Sequence, residues 1–102
     1  MEIEAIRERI RCGAFAVTDH AMLEGFKEGI TVADMVRTIE TGRIIERYPE
    51  RQRCLIFARR ADGLPIHVVV EYLAQSVVDL VTAYVPQRQR WIRDQVRKRR
   101  ER

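Results

Sequence analysis

The chain has 102 residues, 46% hydrophobic and 33% charged, with a formal net charge of +4. That is room for a single domain, residues 1–102, with one modest core. No apolar run approaches the roughly 20 residues of a membrane span, which argues against a membrane protein.

The charged start MEIEAIRERIR lacks the apolar centre of a secretory signal. Cys12 and Cys54 stand in no CxxC or Cys/His ligand spacing, so a reduced, cytoplasmic setting is expected. Ile3, Ile6 and Ile10 recur at helical spacing, which predicts an amphipathic helix over residues 2–12, ending near Gly13. Thr18 or Asp19 can cap a second helix that runs to about Glu28 and is closed by Gly29. Thr31 and Asp34 resemble a capping box, and Val32, Met35, Val36 and Ile39 follow at i, i+3, i+4, i+7 before Gly42. A third helix over 31–41 follows from that pattern.

Arg43 to Tyr48 reads as a short strand broken by Pro49-Glu50, and 53–60 as another, with Ala61-Asp62-Gly63 as a tight turn. The stretch LPIHVVVEYLAQSVVDLVTAYVP, Leu64 to Pro86, is the spine of the chain. Its two β-branched runs, 65–73 and 77–85, are separated only by Ala74-Gln75-Ser76, and so short a break allows only antiparallel pairing. Period-two alternation puts His67, Val69 and Glu71 on one face of the first run. It groups Val78, Leu80, Thr82 and Tyr84 on one face of the second. Pro86 ends the sheet, and 87–100 is expected to form a last helix with Trp91, Ile92 and Val96 turned inward. The predicted fold is α+β: three helices, four strands in a mostly antiparallel sheet, and one C-terminal helix.

Chemistry-bearing residues are few. The two histidines and scattered carboxylates have no zinc or iron spacing. There is no Gly-x-Ser-x-Gly elbow and no Gly-rich phosphate loop, so neither metal nor cofactor is expected. From Gln87 onward eight basic residues are opposed only by Asp94 and Glu101, either a solvated end or the footprint of a polyanion such as RNA. Metal-independent phosphodiester chemistry needs an acid or base and cations for the charge that develops on phosphate. His67, Glu71, Tyr84 and His20 are the candidates for the first role. Arg53, Arg88, Arg90 and Arg93 are the candidates for the second. A satisfied core histidine is the competing reading of His67, and a local capping residue that of His20.

DHAMLEGFKEGIT (Asp19 to Thr31), TGRIIERYP (Thr41 to Pro49), RCLIF, LPIHVVVEY, LVTAYVP and Trp91 together resemble a family of small uncharacterised bacterial and phage-borne domains. That family is grouped by fold with RelE/ParE and BrnT type toxins, and more loosely with barnase-like ribonucleases. The resemblance spans Thr18 to Trp91 and is carried by His20, Gly42, His67, Thr82, Tyr84, Pro86 and Trp91. It implies a RelE-like fold and two functional readings. One is a metal-independent endoribonuclease or toxin-antitoxin toxin, with RNA as substrate and a cognate antitoxin as partner. The other is a catalytically silent binding or regulatory domain. Gly25 and Glu28 stand where the family carries arginines, so part of an RNA-contacting surface is expected to be missing.

Overall fold

Two of the three helices owe their starts to side-chain caps. In α2 (Asp19–Lys27) the Thr18 hydroxyl accepts from the Ala21 N–H at 3.1 Å. In α3 (Val32–Thr41) the box is complete: Thr31 Oγ1 accepts from the Asp34 N–H at 3.0 Å, and Asp34 Oδ2 accepts from the Thr31 N–H at 2.9 Å. Such caps satisfy amide donors that have no partner within the helix. The Thr31 N–H, foremost, holds the Asp34 carboxyl below the usual carboxylate range. Gly29, at φ +73°, closes α2 in the left-handed region that glycine enters without strain. Helix α1 (Ile3–Arg11) buries Ile6 and Ile10, and its Arg7 donates to the carbonyls of Ile39 at 2.9 Å and Gly42 at 2.7 Å. One guanidinium thereby fastens α1 to the C-terminal end of α3.

The structure is a computed structural model that describes residues 1–98. Strands β1 (Phe15–Val17), β2 (Arg43–Tyr48), β3 (Arg53–Arg59), β4 (Pro65–Glu71) and β5 (Val78–Tyr84) form one sheet in the order β1-β5-β4-β3-β2. The pairs β2/β3, β3/β4 and β4/β5 are antiparallel, as the short connections require. The α+β class and the mostly antiparallel sheet hold, but the sheet has five strands where the sequence reading has four. The additional strand, β1, pairs parallel with β5, Ala16 opposite Asp79.

Helices cover one face of the sheet. Ile6, Ile10, Met35 and Ile39 pack there against Cys54, Ile56, Val68, Val70, Val78 and Leu80. The other face carries a smaller cluster, Leu55 and Val69 under Trp91. What covers it is not the expected helix. Residues 91–97 form a hairpin of two-residue strands, β6 (Trp91–Ile92) and β7 (Val96–Arg97), turning through Arg93 and Asp94 at φ +51° and +65°. Two consecutive left-handed residues suit the primed turns of tight hairpins and are incompatible with a continuing helix. Trp91 is buried, whereas Ile92 and Val96 are about half exposed, so only one of the three expected inward residues turns in. Residues 88–90, which the sequence places in the same helix, form a turn instead, with the Arg90 N–H donating to the Gln87 carbonyl at 2.9 Å; the end of the expected helix and most of the basic tail expected from about residue 97 lie outside the described residues.

Candidate functional site

Two β-bulges build the exposed part of the second face. In β5, Thr82 pairs with Val69 and Leu80 with Val70, leaving Val81 as the extra residue. Alternation inverts there. Val78, Leu80 and Ala83 enter the helix-side core, while Thr82 and Tyr84 turn to the opposite face. This corrects the grouping of Val78, Leu80, Thr82 and Tyr84 on a single face. A bulge re-aims whatever follows it. The same Thr18 hydroxyl that caps α2 donates to the Val81 carbonyl at 3.1 Å, so one side chain bolts α2 to the bulge. A second shift, at Ile45 in β2, puts Glu46 opposite Leu55 and Tyr48 opposite Arg53. Glu46, Tyr48, Arg53, Thr82 and Tyr84 thus share the face that Trp91 only partly covers.

A cleft of two lobes results. The larger, about 570 Å³, is lined by Arg47, Tyr48, Arg51, Arg53, Thr82, Tyr84 and Arg97, among others. The smaller, about 360 Å³, is lined by His20, Glu24, Glu28, Tyr84, Arg90 and Arg97, with Thr82, Gln87 and Trp91. Thr82, Tyr84 and Arg97 border both lobes and form the saddle between them. Arg97 is held there by Glu46, with N···O distances of 3.2 and 3.4 Å, and by its guanidinium lying 4.5 Å from the Trp91 ring centre. The Glu46 carboxylate raises the Arg97 pKa. Burial, then the Glu46 carboxylate that accepts its hydroxyl proton, pushes Tyr48 up to about 12. Guanidiniums around hydroxyl-bearing side chains suit an anionic, phosphate-bearing ligand.

The residues singled out in the sequence fall into three groups. Arg53 and Tyr84 line the larger lobe, and His20, Arg90 and Tyr84 the smaller. Glu71 faces Arg53 across the strand pair and accepts from its Nε at 2.9 Å, so its charge is engaged. Arg88 and Arg93 are exposed and line neither lobe.

His67 sits apart, at 0% exposure. It lies opposite Tyr84 in the ladder, and the Phe57, Tyr84 and Trp91 rings meet it edge-on at centroid distances of 5.8, 5.2 and 4.5 Å. Nε2 is 2.6 Å from the Asp94 carbonyl oxygen and Nδ1 is 3.3 Å from the Tyr84 hydroxyl. Burial lowers its pKa, an effect that outweighs the opposing pull of the Asp94 carbonyl. No ligand in the cleft can touch this imidazole. It reaches the cleft through Tyr84.

Sequence reasoning passes over Arg47, Arg51, Tyr48 and Arg97 as cleft residues. Tyr48 and Glu46 stand at i and i+2 in the expected strand, so alternation places them on one face. Arg97 has no such signal, because a two-residue strand has no readable period. The Gly25 expectation also changes. A Cβ there would stand 2.7 Å from Met35 Cε and 3.0 Å from the Ile30 carbonyl oxygen, against the interior. Gly25 is therefore a packing position and not a missing surface cation, whereas Glu28 does line the cleft.

Among the described residues, no group of three or more His, Cys, Asp or Glu side chains is placed to hold a metal ion. No helix among them is long and apolar enough to cross a membrane. No curated protein and no solved structure matches the chain. A family model does match: Domain of unknown function (DUF4258) covers residues 17–85, from the last residue of β1 to just past β5, and the chain belongs to that family.

Proposed function

We propose that the protein binds RNA in the two-lobed cleft and cleaves it without a metal ion, as a RelE/BrnT-like ribonuclease or toxin held by a cognate antitoxin. The observation that carries this reading is the saddle. Tyr84, Thr82 and Arg97 lie between a lobe rich in arginine and one that holds the accessible imidazole, His20. In cleavage, His20 exchanges protons with the reacting hydroxyls, while Arg97 and Arg53 stabilise the charge that develops on the phosphate. A second reading, a catalytically silent binding or regulatory domain, is favoured by one fact: His67 is sealed from the cleft.

Purified protein mixed with single-stranded RNA in excess chelator separates the two. Binding should weaken with salt at a log–log slope of about −0.7 per phosphate contact. Arg53→Gln and Arg97→Gln should weaken it for all sequences alike and flatten the slope, whereas Arg88→Gln should change little. Chelator-resistant cleavage and growth arrest on induction are the expected results. Salt-dependent binding without cleavage selects the silent reading with RNA as its ligand, and no binding at low salt removes the ribonuclease reading and RNA as the ligand of the cleft.

A further inference from the structure

The hydrogen bonds around His67 have a fixed direction. A backbone carbonyl can only accept, so the contact of Nε2 with the Asp94 oxygen at 2.6 Å puts the ring proton on Nε2. Burial among three aromatic rings keeps the imidazole neutral. Nδ1 is then a bare acceptor, and the Tyr84 hydroxyl, 3.3 Å away, donates to it. A phenol has one proton, and Tyr84's is committed to the interior. Towards the cleft its oxygen offers lone pairs alone.

We propose that His67 fixes Tyr84 as a hydrogen-bond acceptor at the saddle of the cleft, so that the cleft selects ribose over deoxyribose through the 2′-hydroxyl. This rests on the reading of the cleft as a nucleic-acid site and adds how it distinguishes the sugar. Phosphate oxygens only accept, so they go to Arg53, Arg97 and their neighbours and not to the Tyr84 oxygen. Along a nucleic-acid backbone the one group that donates is the 2′-hydroxyl of RNA. His67 is thus a positioning residue, never touching ligand, and Tyr84 is the residue that reads the sugar.

The test uses one sequence made as RNA, as DNA and as 2′-O-methyl RNA, which lacks the 2′ donor. Affinities are measured in chelator during incubations short enough to keep the strands intact. Wild type should hold RNA about three- to tenfold more tightly than either analogue, the range of one neutral hydrogen bond. Tyr84→Phe should bring the three affinities together while leaving the salt slope unchanged. His67→Leu, which frees the Tyr84 proton, should narrow the gap mainly by improving DNA binding. Folding of each variant is checked by circular dichroism, because Tyr84→Phe also takes from the buried His67 Nδ1 its hydrogen-bond partner. Equal affinities in wild type, or a preference that survives Tyr84→Phe, overturn the inference and leave the cleft-binding reading intact. Salt-dependent binding to none of the three overturns both.

Discussion

Replacing Trp91 with alanine tests how the second face of the sheet is held. The side chain is 4% exposed, packs on Leu55 and Val69, meets the His67 ring at 4.5 Å and carries the Arg97 guanidinium on its face. Apart from the His67 hydrogen bond to the Asp94 carbonyl, the hairpin's other attachments are weak by comparison. Arg59–Asp94 and Arg97–Glu46 are ion pairs with half-exposed arginines, and such pairs contribute about 0–1 kcal/mol each. Two-residue strands cannot stand alone in water. Truncating a buried Trp costs roughly 3–5 kcal/mol, with up to about 1 kcal/mol more for the cation–π contact. Trp91 therefore decides whether the hairpin stays docked. Urea unfolding followed by far-ultraviolet circular dichroism is the assay, since the substitution removes the only tryptophan. With a denaturant slope of about 1–3 kcal/mol/M for a small domain, the midpoint should fall by about 1 M or more. Trypsin should also begin to cut at Arg88 and Arg90 under native conditions. An unchanged midpoint together with unchanged proteolysis would refute the docking described here.

Gly42→Ala should destabilise the fold by roughly 1–3 kcal/mol, the usual range for overpacking. Its Cβ would overlap the carbonyl oxygens of Phe57 and Thr38, backbone atoms that cannot swing aside. Gly25→Ala should cost less, because the nearest atom there is the flexible end of Met35; a larger loss at Gly25 in the same thermal-denaturation series would contradict this. Stability should also fall on mild acidification. The folded pKa of His67 lies below its ordinary 6.5, so the unfolded chain takes up the proton first as pH drops. The loss starts near 6.5 and grows until the folded imidazole is itself protonated, at no more than about 1.4 kcal/mol per pH unit. Unfolding measured between about pH 7 and about pH 5, above the carboxylate range, should show the slope in wild type and lose most of it in His67→Gln. Equal slopes would assign the proton elsewhere.

Much of the fold was readable because its signals are local. The Thr31–Asp34 box and the stripe through Met35 and Ile39 mark α3 without reference to any other segment, and both are present. The turns at 61–63 and 74–76 leave their flanking strands no pairing but antiparallel. What escaped is non-local. Strand β1 is three residues long, too short for a period to show. It is a strand because its edge meets β5 in parallel. The bulge at Val81 cannot be seen in LVTAYVP, since nothing in that string marks where alternation inverts. Yet that one residue decides whether Tyr84 faces the core or the cleft. The last segment misled for a different reason. Trp91, Ile92 and Val96 are compatible with a helix, and the turn at Arg93 and Asp94 lacks the Asn-Gly or Asp-Gly signature of a tight hairpin. Its left-handed residues are held by tertiary contacts, among them Arg59–Asp94 and the His67–Asp94 bond.

The cover on the second face is a hairpin of two-residue strands and not a helix. The hairpin packs on Leu55, Val69 and His67, and Arg97 in its second strand borders both lobes of the cleft. The short hairpin leaves Tyr84 and Thr82 lining the cleft beside it. It also explains how a buried histidine is tolerated in the most apolar strand of the chain. An imidazole without partners would cost about 1–3 kcal/mol for each unsatisfied group, and here both ring nitrogens are satisfied, one by the hairpin and one by β5. The Asp94 carbonyl reaches it only while the hairpin is docked, and the Tyr84 hydroxyl reaches it only because the bulge has turned that side chain across. Docking of the cover, direction of the bulge and polarity of the Tyr84 hydroxyl are therefore one coupled arrangement. A substitution that loosens any of the three should alter the other two.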